Sequence, residues 1–186
     1  MLEALVIETI QTAAVRVFST MLTKELTWGS PYLEEQSAPT SEGVIAQISV
    51  VGSCSITSLI CCSADVARQI ASAMLMQECS AVDAEVLDAM AEIANMIMGT
   101  VKTDLDTQLG GVSLSIPTVT YGRNFTVHNH SKRWMIVPFL MEAQPFTVKV
   151  CFEPAAASRN KASGNTPFVC MAPGCPSHLP GWSAAG

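Results

Sequence analysis

The longest regular pattern along the chain is helical, running from Val82 to about Gln108 without a Gly or Pro before Gly99. At ~100° per residue, Asp88, Glu92 and Asn95 fall on one narrow stripe, which Glu85 and Gly99 extend. Val86, Met90, Ile93, Ile97 and Val101 gather on the opposite side, the side a helix buries. Ala89, Ala91 and Gly99 neighbour the polar stripe and are too small to keep another molecule away. A polar, open stripe on a firmly anchored helix describes a docking surface. Ser80-x-x-Asp83 fits a capping box at the start of this helix.

The same reading orders the rest of the chain. Residues 2 to about 26 form an amphipathic helix, with Val6, Ile10, Ala13, Ala14, Val17 and Met21 on its apolar side. Trp28-Gly29-Ser30-Pro31 marks its end, and residues 32–43 hold a short strand and a loop. Residues 44–51 alternate as a strand, Gly52-Ser53 turns, and residues 55–61 return as a hairpin arm. A helix opens at Ser63-Ala64-Asp65 and runs to about Gln77. After the long helix come three strand-like runs, 112–121, 133–143 and 146–153. A polar loop at 124–132 separates the first two, and a tight turn at Gln144-Pro145 the last two. Strands and helices in separate runs predict an α+β fold, helices packed on a largely antiparallel sheet.

From Pro154 the composition changes to Ala, Gly and Pro without periodicity, so the chain divides into a folded domain, 1–153, and a disordered tail, 154–186. The 186 residues carry 49% hydrophobic and 14% charged residues, ample for a core with apolar surface to spare for a partner. The net charge of −6 speaks against nucleic acid, which is bound by a basic stripe. No uninterrupted apolar run reaches the ~18 residues of a membrane span. The N-terminus lacks a basic region and Glu3 and Glu8 interrupt it, so we expect no signal peptide, a cytoplasmic location and no membrane. Seven cysteines, an odd number, then read as reduced thiols packed as small hydrophobes.

Little else carries chemistry. His128 and His130 flank Asn129 in the polar loop, and Cys170, Cys175 and His178 offer three ligands where structural zinc takes four, so no metal site is expected. No nucleophile elbow, P-loop or dinucleotide fingerprint is present. Within the stripe, Asn95 has no titratable group and cannot act as a general base, but its amide can hold a water by donating and accepting at once. Two carboxylates at i and i+4 are, by themselves, most simply a solvated helix face. The residues alone leave docking surface and solvated face both open.

The segment Asp88-x3-Glu92-x2-Asn95, continuing through Met96-Ile97-Met98-Gly99, resembles the signature of the CheC/CheX/FliY phosphatases of bacterial chemotaxis, and the wider layout is similar to CheX. Val17-Phe18-Ser19-Thr20-Met21-Leu22 looks like that family's first helix, and residues 44–52 like its first long strand. Ser115-Ile116-Pro117-Thr118-Val119 and Ile136-Val137-Pro138-Phe139 look like its later strands. The resemblance covers residues 1–154 and none of the tail. It implies a phosphatase of the aspartyl phosphate on a CheY-like response regulator. Asn95 would position the attacking water and Glu92 would pair with the regulator's lysine. Asp88 and Gly99 would assist docking. The chain would need no cofactor of its own, the Mg²⁺ coming with the phosphorylated regulator. A homodimer joined through the sheet, one site per subunit, is also implied. The rival expectation is a non-catalytic receiver-binding adaptor or a dimerisation module of the flagellar switch.

Overall fold

The computed structural model describes residues 2–34, 41–125 and 133–153. The tail at 154–186, the loop histidines His128 and His130, and Cys170, Cys175 and His178 lie outside the described residues. Three helices, α1 (Leu2–Val17), α2 (Ala64–Leu75) and α3 (Ala84–Leu109), lie against one face of an antiparallel sheet. Its strands are β1 (Leu26–Trp28), β2 (Tyr32–Glu34), β3 (Ser41–Gly52), β4 (Ser55–Cys62), β5 (Val112–Leu114), β6 (Thr118–Phe125), β7 (Trp134–Met141) and β8 (Gln144–Glu153). Their order is β1-β7-β8-β4-β3-β5, with β2 also on β7 and β6 also on β3, and every pairing is antiparallel. The expected α+β architecture is therefore the one observed.

Strand alternation sets the core. Val44, Ala46, Ile48 and Val50 of β3 and Ile56, Ile60 and Cys62 of β4 point to the helices, where they meet Val6 and Ile10 of α1 and Val66 and Ile70 of α2. The other face carries a smaller buried cluster of Ile45, Leu59, Trp134, Ile136 and Cys151. A 2.9 Å ion pair between Lys149 and Glu34 joins β8 to β2. None of the five described cysteines is in a disulfide.

The first helix departs from expectation at its end. It stops at Val17 and passes into a π-helical turn, Phe18–Leu22, closed by Thr23 in the left-handed region (φ 53°). The wider turn shifts the phase of the helix, so Phe18 and Leu22 point inward while Met21, expected on the apolar side, is 49% exposed. Phe18 stacks on Phe146 (5.3 Å between centroids), which stacks on Phe139 (5.1 Å), pinning the turn to the sheet. Leu26, placed in the helix by periodicity, instead opens edge strand β1 against Met141. By length and mean hydropathy (1.3) the segment Leu2–Leu22 could cross a membrane, although no uninterrupted apolar run indicated it. Here its Val6, Ile10, Ala14 and Phe18 are buried in the core.

Two further differences concern turns. The run 112–121 is two strands, broken at Ser115-Ile116-Pro117, where Pro117 has no N–H to give a ladder. The β7–β8 hairpin turns at Glu142-Ala143, not at Gln144-Pro145, which belong to β8. Both turn residues have positive φ (49° and 69°), the twist a two-residue hairpin loop needs to match its strands. Composition alone favoured the proline.

Candidate functional site on the exposed stripe of the third helix

The long helix is fastened along its whole length. Asp83 is its N-cap, accepting from the Val86 N–H at 3.1 Å, so the cap is Asp83 itself and not a box begun at Ser80. Val86, Met90, Ile93, Ile97 and Val101 are fully buried, as the periodicity predicted. Leu105 continues the buried side. On the flank towards α1, Thr9 donates to Asp104 (3.0 Å) and Arg16 donates to the Thr100 hydroxyl (3.2 Å). Near the C-terminus, Asp106 accepts from Lys102 (3.0 Å) and from the Val112 N–H (3.2 Å). Those bonds hold the Asp106 carboxyl below the usual carboxylate range, Lys102 contributing most. Helix and following strand are thereby tied together.

On the opposite arc, Asp88, Glu92 and Asn95 are all exposed. Among the described residues none of the three has a hydrogen-bond or ion-pair partner, whereas Glu85, on the same arc, accepts from Gln77 at 2.9 Å. The Glu92 and Asn95 side chains leave the helix about 4.5 Å apart along its axis, close enough to act on one bound group. Ala91 and Gly99 border them and are half-buried. Ala89 is buried (4% exposed) and belongs to the packed side, correcting its placement beside the stripe.

The arrangement can present one carboxylate and one amide, rigidly spaced, to an incoming surface. Among the described residues no group of three or more His, Cys, Asp or Glu side chains could hold a metal ion. The nearby Arg16–Thr100 contact was not legible in the sequence, because it depends on α1 lying against α3.

Among the described residues, an eight-stranded antiparallel sheet with three helices on one face is the fold of CheC- and CheX-like chemotaxis proteins, as solved structures show. A putative chemotaxis protein from Desulfovibrio vulgaris Hildenborough is 28% identical (TM-score 0.70), the match covering 80% of this chain and 96% of that one. A CheC-like superfamily protein from Shewanella sp. PV-4 is 26% identical (TM-score 0.71), with 81% and 98% covered. A Borrelia burgdorferi chain from a CheX–CheY–BeF3–Mg²⁺ complex is 25% identical (TM-score 0.68), with 80% and 97% covered. No curated protein sequence matches the chain. The family described as chemotaxis phosphatase CheX matches residues 44–140, more than half of the chain, including Asp88, Glu92, Asn95 and Gly99. The chain belongs to the CheX family.

Proposed function

We propose that the protein is a phosphatase that hydrolyses the aspartyl phosphate of a CheY-like response regulator. The observation that carries this reading is the exposed Glu92–Asn95 pair, without a partner among the described residues, on a helix immobilised along its other sides. The helix that carries these two is anchored by its other faces, while among the described residues nothing takes up their polar groups.

Phosphoryl transfer asks chiefly for positioning and for neutralisation of charge. The Asn95 amide accepts one hydrogen bond from a water and donates another, which fixes the water's lone pair towards phosphorus without taking its proton. Water oxygen bonds to phosphorus as the bond to the aspartyl oxygen breaks, giving inorganic phosphate and the free carboxylate. Glu92 pairs with the regulator's lysine and so holds the regulator docked on the helix. Asp88, one turn earlier, and Gly99, one turn later, border the contact. The regulator brings the Mg²⁺ and lysine that neutralise the phosphoryl oxygens; an acidic stripe would repel a phosphate by itself.

The Borrelia burgdorferi complex, in which a CheX chain similar to this one sits with CheY and BeF3–Mg²⁺, supports the choice of partner. A cytoplasmic homodimer, joined through the sheet, is part of the same reading. Exposed Trp28, Tyr32 and Leu33 on the edge strands supply apolar surface for it. Single-turnover decay of a phosphorylated CheY-like regulator, with and without this protein, separates catalysis from mere holding. Acceleration is expected. Tight binding with unchanged decay would replace the phosphatase with a receiver-binding adaptor, and Glu92 and Asn95 buried between two copies would favour a dimerisation module.

A further inference from the structure

Glycine inside a helix destabilises it relative to alanine, so an interior helical glycine usually answers a packing demand. Gly43 and Gly52, on β3, answer such a demand. A Cβ on Gly43 would lie 2.2 Å from the Cys62 carbonyl oxygen, and one on Gly52 would lie 2.1 Å from that of Gly111. Gly99, in the interior of α3, has none among the described residues: a Cβ there would meet nothing of them within 4 Å. Its φ is also not in the left-handed region, so the backbone does not require glycine. The fold leaves this position open at a cost to its own helix.

The surroundings of Gly99 are kept low as well. Thr103 turns its hydroxyl back onto the Gly99 carbonyl (2.9 Å), and Thr100 turns its own onto that of Met96 (3.2 Å). Lys102, the long side chain nearest the stripe on this turn, is drawn along the helix to Asp106. Glu92 and Asn95 stand exposed on the turns before Gly99, which itself carries no side chain.

We propose that Gly99 is a clearance position, where the backbone of the docked regulator comes against α3, and that this contact fixes how far Asn95 reaches towards the phosphoryl group. The inference rests on the phosphatase reading above and adds a positioning residue that touches neither water nor phosphate. Side chains at this position should therefore harm docking while leaving the fold intact or firmer.

The test compares the wild-type protein with Gly99→Ala, Gly99→Leu and Asn95→Ala. Thermal unfolding is measured, together with affinity for a CheY-like receiver activated by beryllofluoride and Mg²⁺, and single-turnover dephosphorylation. Gly99→Ala should unfold no lower than wild type, and Gly99→Leu should bind the activated receiver at least about tenfold more weakly. At saturating protein, Gly99→Leu should also turn over more slowly, because Asn95 is held short. Wild-type affinity and rate in Gly99→Leu, beside an inactive Asn95→Ala, would overturn the clearance role while leaving the phosphatase reading standing. A wild-type protein that neither binds the activated receiver nor accelerates decay would overturn both. If Gly99→Leu unfolds early, Gly99→Ala decides, and unchanged affinity and rate in that variant would again refute the proposal.

Discussion

Replacing Asn95 with Ala separates the chemistry of the site from its architecture. The Asn95 side chain is exposed and has no partner among the described residues, so its removal opens no cavity and strands no buried group. Helix propensity is what remains, and there alanine is better than asparagine by up to about 0.7 kcal/mol. For a domain of this size that corresponds to a rise of roughly 1–3 °C in the unfolding midpoint. Activity should move the other way. Losing a single preorganised polar group at a reacting centre costs about 10²–10³ in rate, and the loss of a water-positioning amide should fall in that range. The assay is single-turnover decay of a phosphorylated regulator at saturating protein, with calorimetry on the same samples. Asn95→Asp serves as a second variant: it keeps the size but replaces an amide by a carboxylate, which repels the phosphoryl group and cannot donate. It should be as inactive as Asn95→Ala. Full activity in either variant would refute the water-positioning role. A fall in stability of more than about 1 kcal/mol for Asn95→Ala would show that the residue is packed in an interface, since an exposed residue has nothing of that size to lose.

Glu92→Ala should act on docking: affinity for an activated receiver should weaken, and high protein concentration should recover most of the rate, whereas a slowed rate with unchanged affinity would refute the salt-bridge role. Ile97, fully buried beneath the stripe, should cost about 2–5 kcal/mol when cut to Ala, read from urea unfolding. Burial pushes the Cys61 thiol up to about 11 and the Cys62 thiol up to about 12, from the 9.0 expected of both in the unfolded chain. The neutral thiols therefore contribute stability that is full below pH 9 and is lost as pH rises towards those values. Urea midpoints should fall between about pH 9 and 11 and recover in part in a Cys62→Ala variant, a flat profile being the contrary result.

Much of the site was legible in the sequence because a helix has a fixed period. Once residues 82–108 are read as helical, Asp88, Glu92 and Asn95 must share a face, and Val86, Met90, Ile93 and Ile97 must share the opposite one. Burial in the structure follows that division residue by residue. The β3–β4 hairpin and the β8 strand were legible for the same reason, their alternation being a property of the local backbone. Errors fell where two local signals compete or where partners are remote. At the β7–β8 turn a proline outweighed the positive φ that Glu142 and Ala143 adopt, a geometry enforced by strand twist. At the end of α1 the apolar pattern ran on through Leu26, but the π turn and the Phe18–Phe146 stack redirect the chain into an edge strand. No local rule could supply that stack, because Phe146 lies far along the chain.

Local periodicity by itself thus determined which residues of α3 face outward and which chemical groups they offer. Only the tertiary structure decided that, among the described residues, Asp88, Glu92 and Asn95 are left without partners while Glu85 is taken up by Gln77. It also decided that no described residue fills the space in front of Gly99, while that in front of Gly43 and Gly52 is filled. The reason is that a side chain's direction follows from its own backbone, whereas its freedom depends on what the rest of the chain brings beside it.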